Sequence, residues 1–366
     1  MPENAANFNS NRLSIARKRR GLTKTALAKR AEIDLRSVTA YESGDYYPRP
    51  DTAQSLADAL KFPLEFFYGD DLDEPRPDTA SFRAMSKMTS TQRDMALSQG
   101  SIALHLSNWL EEKFDLPKPN LPDLSREATP EAAAEALRRH WKIGVQPIDN
   151  MIHLLEREGV RIFSLAIDAR EVDAFSLWNG ETPFVFLNQN KSSEHSRYDA
   201  AHELGHLVLH KHGLPQGRDT EREADLFASA FLMPYQSIIA NSGRNPVLSD
   251  LINLKSKWTV SVAALNRRLH TVGMTSDWQY RNLLIEISKR GFRKTEPKEA
   301  PREWSYILKK VFEELREEGC SRPDIAKDLA IPRDELEQLI FGLVIAALEG
   351  GRKTSVSKAP KLELVK

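Results

Sequence analysis

The pentapeptide His202-Glu203-Leu204-Gly205-His206 constrains this chain more than any other segment. It lies in a stretch, residues 198–210, that has the pattern of a helix, where residues four apart are separated by about 40° around the axis. His202 and His206 can therefore present two imidazole nitrogens to one ion. Glu203 is offset by about 100° and can reach a water on that ion without being a ligand. The spacing predicts a metal site with hydrolytic chemistry.

The same spacing also occurs by chance in ordinary helices, where it would give two surface histidines and a solvated glutamate. The apolar neighbours argue against that interpretation; they are Ala201, Leu204, Leu207 and Val208. They would partly bury the imidazoles, and buried imidazoles need partners.

A catalytic zinc ion needs a third protein ligand, and two histidines with one glutamate plus an open water position is the usual set in metallopeptidases. The first helix is expected to end near residues 212–215, because Gly213 suits a left-handed position after a helix and Pro215 cannot continue one. A second helix is then predicted at about 220–233, ending before Pro234.

The second helix offers three acidic residues, Glu221, Glu223 and Asp225. Glu223 points about 200° away from Glu221, so one ion can take only one of the two. Thr220 and Glu223 have the spacing of a capping box, which would give Glu223 a different role. We therefore favour Glu221 as the ligand and Asp225 as an outer acceptor that orients a histidine, with Glu223 as the alternative ligand.

Several segments together resemble one known family, the ImmA/IrrE zinc metallopeptidases. They are the pentapeptide, Glu-Arg-Glu-Ala-Asp-Leu-Phe-Ala at 221–228, Phe-Leu-Met-Pro at 231–234, and the upstream segments 173–176 and 183–188. The resemblance covers roughly residues 145–275. It implies a zinc cofactor, a gluzincin-like ligand set, peptide cleavage, and again Glu221 as the third ligand. It also implies selective cleavage of a repressor-type regulator in stress, phage or mobile-element biology.

The second informative region is a basic stretch near the N-terminus. Residues 11–30 carry eight basic residues and no acidic one, whereas the whole chain balances at 52 of each sign. Such a run is often only a solvated face, but here it overlaps a helix-turn-helix pattern. Thr23 and Asp34 are the expected N-caps of its two helices, and apolar residues up to Phe67 complete a unit of five helices.

This unit resembles the XRE, or Cro/repressor, type of helix-turn-helix domain, on the evidence of Tyr-Glu-Ser-Gly at 41–44 and the prolines that follow. The resemblance places five residues where such domains read base edges: Leu35, Arg36, Ser37, Thr39 and Ala40. Three more are expected to neutralise phosphates: Arg17, Lys18 and Lys24. Glu32 stands where many relatives have glycine, and its charge would weaken DNA binding. A helix-turn-helix used only for protein contacts is the alternative.

The remaining chain is divided by composition. An acidic, proline-bearing linker at 70–78 marks a domain boundary, and helices are predicted at 92–114 and 129–141. Strands are predicted at 160–165, 174–178 and 184–187; the last is either the edge that a peptide substrate pairs with or a plain core strand. Residues 303–350 contain a weak echo of a second helix-turn-helix, for which we favour a protein–protein or intramolecular role.

The predicted fold is mainly α, with a small α+β zincin-like domain. The expected organisation is a helix-turn-helix domain at 1–70, a linker and helical connector at 71–145, a peptidase domain at 146–275, a helical region at 276–350 and a disordered tail at 351–366. The single cysteine, Cys320, excludes intrachain disulfides, and the chain lacks a run of apolar residues long enough to span a membrane. These features indicate a soluble, cytoplasmic protein.

The sequence thus predicts a DNA-binding transcriptional regulator that carries a zinc-dependent endopeptidase. Glu203 would act as the general base toward a water activated by zinc on His202, His206 and Glu221. The first expected partner is an inverted-repeat DNA operator, bound by a homodimer. The second is a repressor-type protein substrate. That substrate would include another copy of this chain, cut in the 70–78 linker. The alternative is a promoter-binding antitoxin or autoregulator whose zincin-like domain binds or senses a toxin or other partner without turnover.

Overall fold

The structure, a computed structural model, describes residues 8–75, 89–165, 173–211 and 217–344. Its N-terminal unit consists of α1 (Ser10–Arg19), α2 (Lys24–Arg30), α3 (Leu35–Ser43), α4 (Pro50–Leu60) and a short 3-10 helix at Leu64–Tyr68. Thr23 caps α2 by accepting from the Ala26 amide at 3.1 Å, and Asp34 caps α3 by accepting from the Arg36 amide at 2.7 Å. The five-helix prediction and both N-caps are confirmed.

The acidic stretch that follows is fixed to α1 over residues 70–75. Asn9 donates to the Asp71 carboxylate at 3.0 Å, and Asn11 donates to that of Glu74 at 2.7 Å. Two amide side chains at the start of α1 therefore hold the carboxylates of the first part of the predicted linker. The remainder of the proposed cleavage segment, including Asp78, lies outside the described residues.

Three helices connect the N-terminal unit to the central domain. They are α5 (Ser90–Lys113), α6 (Pro130–His140) and α7 (Met151–Arg157). α5 begins with a capping box formed by Thr89 and Gln92, and it packs along α1. α6 spans the predicted helix at 129–141, with Thr129 as its N-cap.

The central sheet consists of β1 (Arg161–Ser164), β2 (Ala174–Asn179) and β3 (Thr182–Leu187), in the order β1-β3-β2. β3 pairs parallel to β1 and antiparallel to β2. The expectation that β3 could be an edge strand is wrong: its Phe184-Val185-Phe186-Leu187 run is buried on both faces and it takes the centre. Within the described residues β2 pairs only with β3, which makes β2 an edge strand.

Helices cover this sheet and extend the domain: α8 (Ser193–Leu209), α9 (Arg218–Leu232), α10 (Tyr235–Asn241), α11 (Leu248–Trp258), α12 (Val262–Thr271) and α13 (Asp277–Lys289). α8 packs on β2, on β3 and on α9. The predicted helix end at 212–215 falls largely outside the described residues; α8 stops at Leu209, with His210 as its C-cap.

The C-terminal region adds α14 (Tyr306–Glu317), α15 (Arg322–Asp328) and α16 (Arg333–Ile340). α16 packs on β1 and α5, and its Glu335 pairs with Arg19 of α1 at 2.6 Å. This region therefore makes intramolecular contacts, and a protein–protein role for it stays a prediction. Of the helices in the described ranges, none has both the length and the apolar character that crossing a membrane requires. The expected tail at 351–366 lies outside the described residues.

Candidate metal centre and DNA-reading surface

The two histidines of the pentapeptide lie one turn apart on α8, and Glu221 faces them from the first turn of α9. Gly205 makes this possible because a Cβ at its position would lie 3.2 Å from Ala224 Cα and 3.1 Å from Phe227 Cδ1. A side chain there would hold the two helices apart. The missing side chain therefore brings Glu221 within reach of the histidines.

Three donor atoms converge at this point. His202 Nε2 lies 3.1 Å from His206 Nε2, and the two Glu221 oxygens lie 3.4 Å from one or the other imidazole nitrogen. Ligands at about 2.0–2.1 Å from a tetrahedral zinc ion are separated from each other by about 3.3 Å. The three side chains fit a zinc ion without rearrangement, and in the part of the chain that is described they form the one group of this kind.

The electrostatics of the donors also favour a cation. Burial opposes a charge on His202, but hydrogen bonds to Asp225 and Glu221 outweigh it and raise the pKa of His202 to about 10. Burial also opposes the Glu221 charge, yet the two histidines hold the pKa of this carboxyl well below its usual range. The cluster stabilises positive charge at its centre.

Asp225 lies behind His202, as expected of an outer acceptor. Its Oδ1 is 3.2 Å from His202 Nδ1, and its Oδ2 accepts from Arg267 at 3.3 Å. A ligand bound through Nε2 keeps its proton on Nδ1, so this contact fixes both the tautomer and the ring orientation of His202.

His206 has an equivalent partner that the sequence analysis missed. His206 Nδ1 lies 3.0 Å from His210 Nδ1, and His210 Nε2 lies 3.0 Å from Glu223 Oε2. The capping-box role for Glu223 is wrong, because α9 begins two residues earlier than predicted and Thr220 instead pairs with the Gly217 amide at 3.2 Å. The signal available in the sequence was the spacing of four between His206 and His210.

Glu203 is buried against β2. The Ser176 hydroxyl donates to Glu203 Oε2 at 2.6 Å. The sequence analysis did not single out Ser176, although it lies in the 173–176 segment of the family resemblance and is a polar residue inside the otherwise apolar strand predicted at 174–178. His270 lies outside this group: it pairs with Asp277 at 2.7 Å and stacks on Tyr280.

The residues expected to read DNA lie on one face of α3. Leu35, Arg36 and Thr39 are exposed, and Ser37 and Ala40 are half-buried. Gly44 ends the helix in the left-handed region, at φ 78°. The face is open to solvent, as insertion into a major groove requires.

The three expected phosphate contacts differ in their surroundings. Arg17 is buried and makes two hydrogen bonds to the Glu42 carboxylate, at 2.5 and 3.1 Å, so a phosphate contact would require it to leave this partner. Lys24 and Lys18 are both half-buried; Lys24 Nζ lies 3.4 Å from a Glu42 carboxylate oxygen, and Lys18 Nζ lies 3.7 Å from one of Glu74. Glu32 has a positive φ of 55°, which explains why glycine suits this turn.

Comparisons with known proteins match the N-terminal unit and the central domain to two protein families. Residues 13–67 match the family described as Helix-turn-helix, and residues 155–270 match a peptidase family described as the IrrE N-terminal-like domain. The comparison with curated proteins finds no match. By fold and site, the chain joins a DNA-binding domain to a metallopeptidase-family domain. More specifically, it is a fusion of an XRE-type helix-turn-helix domain and an IrrE/ImmA-type domain.

Proposed function

We propose that the chain is a transcriptional regulator whose peptidase domain hydrolyses a peptide bond at a zinc centre on His202, His206 and Glu221. The observation that carries the proposal is the convergence of these three donors, together with the position of Glu203 on the α8 turn that carries the two histidines. A zinc ion bound there supplies Lewis acidity, which activates water and polarises a carbonyl group.

The chain's own residues account for the proton transfers. Glu203 accepts a proton from the water that attacks the carbonyl carbon, and it returns that proton to the amide nitrogen as the C–N bond breaks. The Ser176 hydroxyl, 2.6 Å from one oxygen of Glu203, restricts the orientation of the carboxylate during this transfer. Asp225 holds His202 in the tautomer that can bind an ion through Nε2.

An extended substrate segment fits the edge of β2. This strand carries Ser176, whose hydroxyl contacts Glu203, so a chain pairing with the outer edge of β2 would pass close to the general base. Main-chain pairing binds peptides in an extended form with little regard to sequence. Selectivity for a repressor-type protein, including another copy of this chain, would then come from contacts beyond the cleaved bond.

The metal part of the proposal is tested by zinc content. The purified protein is expected to hold about one zinc ion per chain, and His202→Ala and His206→Ala should abolish this. Glu203→Gln should retain the ion because Glu203 is not a ligand. Glu221→Ala should weaken zinc binding far more than Glu223→Ala; the reverse order would make Glu223 the ligand, and zinc retained by a double histidine variant would exclude the site.

The DNA part is tested with the full chain on an inverted-repeat duplex. Arg36→Ala should relax base preference at one position in each half-site, because only an exposed side chain on the reading face distinguishes bases. Lys24→Ala should weaken binding to all sequences and reduce the salt dependence. A chain that binds as a homodimer would contact half-sites about one helical turn apart. Binding that does not respond to salt, or no binding to any duplex, would assign the domain to protein contacts.

A further inference from the structure

His206 is supported by a chain of two side chains that runs across both helices of the candidate metal centre. The first link joins His206 Nδ1 to His210 Nδ1 at 3.0 Å, and the second joins His210 Nε2 to Glu223 Oε2 at 3.0 Å. The side chain of His210 is 9% exposed, whereas that of Glu223 is 46% exposed. The chain therefore leads from the buried donor to the protein surface.

The protons in this chain can be assigned by the requirement that each contact has one donor and one acceptor. When His206 binds an ion through Nε2, its proton lies on Nδ1 and is donated to His210 Nδ1. His210 must then be neutral, with its own proton on Nε2, and this proton is donated to the Glu223 carboxylate. Because a carboxylate can only accept when it is ionised, Glu223 fixes the direction of both hydrogen bonds.

We propose that His210 and Glu223 are positioning residues for His206, matching the role of Asp225 toward His202. The two glutamates of α9 therefore have different roles: Glu221 is directed at the ion, and Glu223 acts through His210. This inference rests on the proposed zinc centre. It adds a role for two residues that do not contact the ion.

The test measures zinc affinity of the full chain by competition with a chromophoric chelator. His210→Ala and Glu223→Ala are each expected to lower the affinity by about 10–100-fold, the usual effect of removing a partner of a metal ligand. Asp219→Asn is the matched control, because it removes a carboxylate from the same end of α9, and it should leave the affinity unchanged.

Conservative variants separate positioning from packing. His210→Asn places an acceptor close to the position of Nδ1 and should recover much of the lost affinity, whereas His210→Gln should not. In the His210→Asn background, Glu223→Ala should have no further effect, because the link through His210 Nε2 is already gone. The absorption spectrum of the cobalt-substituted protein should change in His210→Ala and return toward wild type in His210→Asn.

The possible failures are distinguishable. A wild-type chain that binds no zinc would overturn the proposed centre itself. A wild-type chain that binds zinc, with His210→Ala equal to it, would overturn only the positioning role. Equal losses in the asparagine and glutamine variants, or additive losses in the double variant, would also overturn it, because they would show that His210 acts through packing or that Glu223 acts alone.

Discussion

Gly205 shows at the scale of one residue how the candidate centre depends on close packing. Alanine is normally more stable than glycine inside a helix, by about 0.5–1 kcal/mol. At this position the added Cβ would lie 3.1 Å from the Phe227 ring and 3.2–3.3 Å from backbone atoms of Ala224, which cannot move aside without shifting α9. The same methyl group that favours the helix therefore opposes the contact between helices.

Gly205→Ala is accordingly expected to destabilise the protein by about 1–2 kcal/mol, since overpacking costs more than the helix gains. It should also weaken zinc binding by displacing Glu221. Thermal unfolding and zinc competition measure the two effects. Gly243→Ala is the control, because a Cβ there meets nothing within 4 Å. A Gly205→Ala protein as stable as wild type, with the same zinc affinity, would show that the two helices separate without cost.

The residues that could be predicted from the sequence are those related by local spacing. His202, Glu203 and His206 follow from the helical repeat. The angle between Glu221 and Glu223 indicated only that one ion can take one of them; the preference for Glu221 came from the family resemblance and from a capping box that the structure does not contain. Ser176 and the acceptor role of Glu223 could not be predicted, because they depend on which strand and which helix pack against α8. The boundary error at α9 is local: Gly217 is the N-cap residue, and Thr220 lies at the third position of the helix, where its hydroxyl accepts from the Gly217 amide.

At the scale of elements, α7 and α14 cap each other. Glu156 of α7 accepts from the amides of Tyr306 at 2.9 Å and Ile307 at 3.3 Å. In return, Glu303 accepts from the amides of Met151 at 3.0 Å and Ile152 at 3.3 Å. Each carboxylate satisfies amides that a helix cannot pair internally, at the end where negative charge is favourable. α7 and α14 lie more than a hundred residues apart in the sequence, and no local pattern indicated that their carboxylates and amides would pair.

Burial of Glu156 predicts a pH-dependent stability. Burial raises the pKa of Glu156 from its usual 4.5 to about 7, although its hydrogen bonds act in the opposite direction. A raised pKa means that the folded state holds the proton more tightly than the unfolded state does. The stabilisation from this group is therefore full below about pH 4.5 and is lost as the pH rises to about 7, by about 3 kcal/mol.

Glu156→Gln removes this titration while keeping an acceptor for the amides. The stability difference between wild type and Glu156→Gln should shift toward the variant as the pH rises from 5 to 7.5, when each is unfolded in urea. A difference that stays constant across this range would show that Glu156 does not titrate there.

At the scale of the whole molecule, the N-terminal unit is joined to the C-terminal helices by a buried ion pair. Arg19 and Glu335 are 2.6 Å apart, with side chains 3% and 0% exposed, and Arg20 adds a second contact to Glu335 at 2.8 Å. The partners are 316 residues apart in the chain. The basic run was recognisable in the sequence, but nothing local indicated that Arg19 and Arg20 contact α16.

Glu335→Gln is expected to loosen this junction, because removing one charge from a buried pair costs about 3–5 kcal/mol. Amide hydrogen exchange in α1 and α16 should increase, while zinc content stays at the wild-type level. Asp334→Asn is the matched control: this more exposed carboxylate also contacts Arg20, at 3.2 Å, and its loss should cost less than about 1 kcal/mol. Equal exchange in the two variants would show that the buried pair does not hold the units together.

The central claim, that one chain combines a DNA reader with a working peptidase, is tested most directly by sequencing new protein N-termini in cells. Cells that carry wild type or Glu203→Gln are compared by mass spectrometry before and after stress. The account predicts at least one cleavage site that is present with wild type and absent with Glu203→Gln, although the variant protein keeps its zinc and its DNA binding. Identical N-termini in the two strains, with this chain and every repressor intact in both, would contradict the account and favour an antitoxin or sensor that binds a partner without cleaving it.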